Sequence, residues 1–332
     1  MNRLGLPEID SALEESLAGD LDTVEQFLGK AIEGDYPFVV ETSRHLVTAG
    51  GKRLRPLLTL LASHCGPERN ARMDDVIKAA VVCELTHLAT LYHDDVMDEA
   101  IRRRGVESAN VRWGNTIAIL TGDYLFAKAS QILAELGPEA VYLQAVTFER
   151  LVIGQISETQ KNDFSLSALD HYMKVIADKT GSLIAASARY GAMFSGASPE
   201  ITEALTKYGE SMGLVFQLAD DIIDIASTST ESGKTQGTDL REGVPTLVTL
   251  FILQSDRPED AELKARLSAP ITDDAAVAQT LIEIRNNPAL DQAKAVVSDL
   301  AAQANGYLEV LPESSAKAAL IELTNAVISR TA

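Results

Sequence analysis

Cysteine, aromatic residues and positive charge are all scarce in this chain. Only two of its 332 residues are cysteine, Cys65 and Cys83, both in apolar, helix-patterned surroundings. Two cysteines cannot build a disulfide framework, and no Cys spacing of the metal-binding kind occurs. A soluble protein of the reducing cytoplasm is therefore expected. Lys and Arg number 29 against 48 Asp and Glu, a net charge of −19. Such a surface cannot neutralise a phosphate backbone, so no nucleic-acid partner is expected. The start, Met1-Asn2-Arg3-Leu4-Gly5, lacks the apolar core of a signal peptide, and no run of 18 apolar residues suggests a membrane span. Blocks of strand-type alternation with hairpin turns are missing as well. What remains is Ala- and Leu-rich sequence of helical period, punctuated by Gly and Pro. An all-α fold in a single domain, residues 1–332, is the expectation.

Within that apolar sequence two acidic clusters stand out: His93-Asp94-Asp95-Val96-Met97-Asp98 and Asp220-Asp221-Ile222-Ile223-Asp224. Each ends a stretch with helical spacing, Val81, Leu85, Leu88 and Tyr92 before the first, Val215, Leu218 and Ile222 before the second. In a helix, Asp94 and Asp98 share one face, as do Asp220 and Asp224. Like charges so placed repel by roughly 0.2–0.5 kcal/mol. A solvated acidic helix end accounts for one such cluster. Two matching clusters beside buried faces point instead to a cation, and hard oxygen ligands with room for water suit Mg²⁺ bridging to a substrate's phosphates.

Basic residues gather at the helix ends against the global sign. Lys52-Arg53-Leu54-Arg55-Pro56 follows Ala49-Gly50-Gly51, and Pro56 suits the first turn of a helix. Lys52 and Arg55 then lie where the helix dipole disfavours cations, either as a solvated turn or as an anion site. Arg102-Arg103-Arg104-Gly105 suits a C-terminal helical turn ended by Gly105, but three arginines in a row beside an acidic metal face are better explained by a polyanion lying between the two. Lys179-Thr180-Gly181 sits inside a helical segment of about 168–194. Gly233-Lys234-Thr235 is not a P-loop, because Thr228 stands where the first Gly is required and a helix precedes it. Acidic faces and basic rims around an apolar cavity describe a site for a diphosphate with a hydrocarbon tail, where metal and cations stabilise the leaving group and the wall excludes water from a carbocation.

Taken together, Gly50-Gly51-Lys52-Arg53-Leu54-Arg55-Pro56, His87, the first Asp cluster, Arg103-Arg104-Gly105, Lys179-Thr180, Phe216-Gln217 and the second Asp cluster resemble the trans-isoprenyl diphosphate synthases, over nearly the whole length. The resemblance implies an isoprenoid-synthase-type bundle of mostly antiparallel helices around a deep central cavity, usually a homodimer. It implies head-to-tail condensation of isopentenyl diphosphate onto an allylic diphosphate with three Mg²⁺, and at most peripheral membrane contact for product release. By position, Asp94, Asp98 and Asp220 would ligate metal, with Asp95, Asp221 and Asp224 ligating or supporting it. Lys52, Arg55, His87 and Arg104 would bind isopentenyl diphosphate; Arg103, Lys179 and Lys234 would hold the allylic diphosphate. Thr180 and Gln217 would steady the developing cation. Val244 departs from the family's usual lysine and removes one diphosphate contact.

In this family the product grows along the helix preceding the first Asp cluster. The wall positions here are Val82, Cys83, Thr86, Ala89 and Thr90, none aromatic, and the twelve residues from Val82 to the first Asp cluster give about 18 Å of open wall at 1.5 Å per residue. A product of about C30–C50 is expected, with a C20 geranylgeranyl product as the alternative and Tyr124, Phe126 or Phe148 as other possible floors. A class I terpene cyclase would lack the second diphosphate set, and a non-catalytic subunit of a heteromeric synthase would be expected to lose Asp-motif residues, both of which this chain keeps.

Overall fold

Helices dominate because apolar residues recur at helical spacing and Gly or Pro interrupts them where the chain must turn. α1 (Ser11–Ala31) starts at Asp10, whose carboxylate accepts from Leu13 N at 3.0 Å, and buries Leu13, Leu17, Val24 and Leu28 on one stripe. α2 (Pro37–Thr48) takes Pro37 as its first residue. α3 (Leu54–Ser63) and α4 (Met73–Met97) follow. The computed structural model describes residues 9–160, 165–226 and 236–331. Lys234 lies outside the described residues.

Along the chain come β1 (Arg102–Arg103), β2 (Val106–Glu107), α5 (Ala109–Trp113), α6 (Asn115–Leu136), α7 (Pro138–Thr159) and α8 (Ala168–Ile176). A π-helical turn, Ala177–Gly181, leads into α9 (Ser182–Phe194), then α10 (Pro199–Ala226), α11 (Thr238–Glu242) and α12 (Leu247–Gln254). The rest is α13 (Ala261–Leu267), α14 (Asp274–Arg285), α15 (Pro288–Tyr307) and α16 (Ser315–Ile328), with short 3-10 turns between. The all-α expectation holds; among the described residues the only sheet is a minimal two-stranded ribbon.

That ribbon corrects one expectation. Arg102-Arg103-Arg104-Gly105 is a hairpin, not a helical turn: α4 has already ended at Asp98, and Glu99 takes a left-handed backbone, φ 50°. Arg103 pairs with Val106, and Arg104 and Gly105 both have positive φ, 52° and 80°. Two successive positive φ values match the twist of a two-residue hairpin.

The described residues fall into two compact units. The first comprises the chain up to Phe148 with Leu183–Gly209 and Val310–Leu320; the second comprises Glu149–Ser182, Glu210–Glu309 and the chain from Ile321. In the first unit α4 is the central helix. Almost every residue from Val76 to Ala89 is buried, whichever way it points, and α4 packs against α6, α3 and α1. In the second, α12 opens with a capping box between Thr246 and Thr249 and lies against α15, whose Ala289, Ala293, Val297, Ala301 and Ala304 form its buried stripe. The helices after Gln254 bury Leu263, Leu281, Ile284, Leu320 and Leu323. Among the described residues no helix is long and apolar enough to cross a membrane.

Candidate active site

The first unit gathers its cations around one buried acid. Glu84, 2% exposed, sits in the middle of α4 and takes Arg53 Nη1 at 2.7 Å and Arg104 Nη2 at 3.3 Å. Arg53 caps α3 with a left-handed backbone, φ 48°, and also holds Val47 O and Glu25. Arg104 donates to Leu46 O at 3.0 Å and to Gly50 O. Gly51 is needed for this wrap: its φ is 143°, and a Cβ there would lie 2.9 Å from the Arg104 guanidinium carbon.

Two groups at this cluster are left to receive something. The half-buried Arg55 forms no side-chain hydrogen bond or ion pair within the described residues, and its Nε is buried without a partner. Burial lowers its pKa despite the opposing charge of Glu84. His87, one turn beyond Glu84 on α4, is held well below the usual imidazole range by burial and by the charges of Arg55, Arg104 and Arg103. A half-buried guanidinium with an unpartnered donor, near an imidazole whose pKa is held low, is chemically suited to receiving an anion. Lys52 is exposed in the loop before α3.

His87 supplies a pH signature. The unfolded chain binds its proton near pH 6.5, whereas the folded chain resists it until well below. Stability therefore falls as pH drops below about 6.5, because the unfolded state then binds more protons. Inorganic diphosphate at the arginine cluster should reverse this by favouring imidazolium. Thermal denaturation between pH 5 and 7.5 should show an acid-side loss that diphosphate relieves, and His87→Phe should remove the relief. An identical diphosphate effect in both proteins across that range would rule the assignment out.

The first acidic cluster closes α4 in the same unit. Asp94 is half-buried, Asp98 is the exposed C-cap, and Asp95 is 0% exposed. Asp95 Oδ1 accepts from Arg103 Nε at 2.6 Å, while Oδ2 is buried without a partner. Burial raises the Asp95 pKa against the pull of Arg103. The hairpin that sequence patterning read as helix is what brings Arg103 to it.

The second unit carries the other acidic set around a pocket of about 570 Å³. Tyr172, Lys179, Thr180, Gln217, Asp221, Asp239 and Val244 are among its lining residues. Thr180 Oγ1 donates to Gln217 Oε1 at 3.1 Å, Gln217 Nε2 donates to Asp221 Oδ1 at 2.9 Å, and Tyr172 OH donates to Asp221 Oδ2 at 2.5 Å. Lys179 pairs with Glu158 at 2.5 Å, and Arg330 pairs with Asp220 at 2.7 Å. Burial and neighbouring carboxylates push Asp221 up to about 6 and Asp239 up to about 8. Val244 is 38% exposed at the pocket wall, where it supplies no charge. Asp224 is half-buried on the last turn of α10.

Among the described residues no three His, Cys, Asp or Glu groups converge as a ready-made metal cage. The donors fit another kind of ion. Crowded carboxylates such as Asp221 and Asp239, whose pKa values burial and neighbouring charge raise, suit a hard divalent cation that takes one or two protein ligands and completes its shell with water and phosphate.

The wall positions are embedded in the first unit. Val82, Cys83, Thr86 and Ala89 are fully buried and Thr90 half-buried. Thr86 accepts from Gln144 Nε2 at 2.8 Å, Cys83 lies 4.0 Å from Thr59 Oγ1, and Thr90 bonds back to His87 O. Phe126 and Phe148, ring centroids 4.4 Å apart, line a recess of about 430 Å³ with His93 and Gln144.

Sequence reasoning missed Glu84, Arg53, Tyr172 and Asp239 as site residues. Glu84 had a signal, since it is the lone carboxylate between Lys78 and Asp94 on an apolar helix. Tyr172 had none.

An all-α chain with an arginine cluster about a buried glutamate and an Asp set at the end of each of two helices has the parts of an isoprenoid synthase. Residues 37–284 match the Polyprenyl synthetase family, and the chain belongs to it; it is a prenyltransferase. It is 46% identical over 321 residues to the nonaprenyl diphosphate synthase of Mycobacterium tuberculosis, covering 97% of this chain and 95% of that one. It is 37% identical to heptaprenyl diphosphate synthase component 2 of Geobacillus stearothermophilus, covering 94% and 96%. Geranylgeranyl pyrophosphate synthase of Corynebacterium glutamicum, solved with calcium and isoprenyl diphosphate, superposes with a TM-score of 0.87 at 43% identity, covering 98% and 99%. The calcium and isoprenyl diphosphate of that complex are a divalent cation and a diphosphate, the ligand classes that the carboxylate and arginine sets here suit chemically.

Proposed function

We propose that this chain condenses isopentenyl diphosphate head-to-tail onto an allylic diphosphate, with Mg²⁺, three ions per site, as the metal, to give an all-trans polyprenyl diphosphate of about C30–C50. The observation that carries the substrate assignment is Arg55, a half-buried cation left with an orphan donor beside neutral His87. With Lys52 and Arg104 they take the isopentenyl diphosphate. Arg103, Lys179 and Lys234 hold the allylic diphosphate. Asp94, Asp98 and Asp220 hold metal, and Asp95, Asp221 and Asp224 support or join them. Bound metal supplies charge stabilisation to the departing diphosphate. The Thr180 hydroxyl and the Gln217 amide lie within 3.1 Å of each other and offer their dipoles to the allylic cation. No protein base is assigned; the released diphosphate takes the final proton. A cytoplasmic homodimer fits this reading, and exposed apolar residues on α6 (Ile119, Leu120) and on α7 (Val141, Tyr142, Val146) are available to it.

The nonaprenyl and heptaprenyl relatives support the long product. The C20 reading has its own support in the Corynebacterium relative and in the Phe126–Phe148 pair at the recess. Incubating the purified protein with Mg²⁺, labelled isopentenyl diphosphate and C5, C10, C15 or C20 primers decides between them. Products beyond C30 are expected, with none after chelation by EDTA. Accumulation at C20 would establish the shorter reading, and failure of every primer would sink the catalytic one. Thr90 is half-buried and accepts a larger side chain more readily than buried Ala89. Thr90→Phe is therefore expected to shorten the main product by two or more isoprene units while leaving the first condensation nearly unchanged. An unaltered product ladder would place the wall elsewhere.

A further inference from the structure

The π-helical turn Ala177–Gly181 carries both Lys179 and Thr180. A π turn holds one residue more than an α turn, has poorer geometry, and recurs at functional positions. Three attachments secure this one. Gly154 of α7 lets two backbones meet, since a Cβ there would lie 2.5 Å from Lys179 N. The buried Asp178 is gripped by two cations: Arg150 Nε donates to Oδ1 at 2.9 Å and Lys174 Nζ to Oδ2 at 2.6 Å. Arg150 Nη2 then donates to Glu210 of α10 at 2.6 Å. Gln217 lies two turns further along that same helix.

One guanidinium therefore ties α7, the π turn and α10 together. From the turn the bonds continue through Thr180 to Gln217 and from Gln217 to Asp221. The four charges balance, Arg150 and Lys174 against Asp178 and Glu210, and none of the four lines the 570 Å³ pocket. The cluster stands outside the pocket lining and contacts the turn and the helix that carry lining residues.

We propose that Arg150 is a positioning residue for prenyl transfer: by holding Asp178 and Glu210 at once, it fixes the π turn so that Lys179 and Thr180 stand in register with Gln217 and Asp221. The proposal rests on the assignment of Lys179 and Thr180 to the allylic substrate made above. The alternative is an ion cluster that adds only stability. The two differ in which kinetic constant moves.

The test compares Arg150→Met and Arg150→Lys with the parent protein at saturating Mg²⁺. Arg150→Met is expected to lose about 10–100-fold in kcat, the usual effect of removing a partner that orients a site residue. KM for the allylic diphosphate should rise while KM for isopentenyl diphosphate stays unchanged. Arg150→Lys, which keeps one of the two contacts, should recover part of the loss. Amide hydrogen exchange across residues 177–182 should quicken in Arg150→Met. A folded Arg150→Met with parental kcat, both KM values and exchange unchanged would overturn the proposal, as would equal changes in both KM values. Should Arg150→Met not fold, Asp178→Asn, of equal size, takes the same measurements with the same expectations. Inactivity of the parent protein would refute the functional reading instead, and the exchange comparison would still decide whether Arg150 holds the turn.

Discussion

Glu84→Gln should destabilise the first unit by about 3–5 kcal/mol, the scale expected when one partner of a buried ion pair is removed. Glu84 is 2% exposed and meets Arg53 and Arg104, whose side chains are themselves only 9% and 14% exposed. With glutamine in its place, Arg53, Arg55 and Arg104 share a poorly solvated space with no central counter-charge. Only Glu25, at the outer edge of Arg53, remains. Glutamine keeps the shape and one acceptor, so the loss reads charge rather than volume. Loss of activity should follow even at temperatures where the variant is folded, because Arg104 loses the anchor that aims it.

A second arm separates counter-charge from generic damage. Ligands that bind only the folded state stabilise it by mass action. Inorganic diphosphate supplies the negative charge that Glu84→Gln removes, so it should raise the midpoint of the variant more than that of the parent. Equal rises in both, or a variant as stable as the parent without any ligand, would show that Glu84 does not balance this cluster.

Glu84 also marks where the sequence stopped being legible. The helices are readable because their apolar spacing is regular: Val81, Leu85, Leu88 and Tyr92, spaced as a helix before the first Asp cluster, all lie in α4, which runs from Met73 to Met97. The two Asp sets, Arg55 and His87 were readable because their type and spacing are unusual in apolar sequence. The division of labour among neighbouring arginines was not. Arg53 and Arg55 differ by two positions, yet one is spent on Glu84 and Glu25 while the other keeps an orphan nitrogen. That difference arises from the left-handed cap at Arg53, which turns the two side chains to different surroundings. The Arg102–Glu107 hairpin escaped for a related reason. Two-residue strands have no period to detect, and only the positive φ at Glu99 and Arg104 distinguishes the segment from a fraying helix. Tyr172 and Arg150 act through partners 49 and 60 residues away, which no local pattern encodes.

The carboxylates of the first cluster should separate by role when each is made neutral at constant size. Asp94→Asn is expected to lower kcat about a thousandfold, several kcal/mol of charge stabilisation at 1.36 kcal/mol per factor of ten. Half-maximal activity should then require more Mg²⁺. Asp95→Asn should behave otherwise. Its carboxylate is 0% exposed and its Oδ1 holds Arg103 at 2.6 Å, so as it stands it aims Arg103 and offers no exposed oxygen to a metal. The change leaves Arg103 without its partner and should raise KM for the allylic diphosphate, with a fall in thermal stability and an unchanged Mg²⁺ requirement. Metal titrations of kcat in the two variants decide the matter. A shifted Mg²⁺ curve in Asp95→Asn would mean that Asp95 turns outward to join the metal shell. The same curve for Asp94→Asn as for the parent would remove Asp94 from the metal set. Adjacent residues of one helix, identical in sequence terms, would then be told apart by which of them the Arg103 hairpin covers.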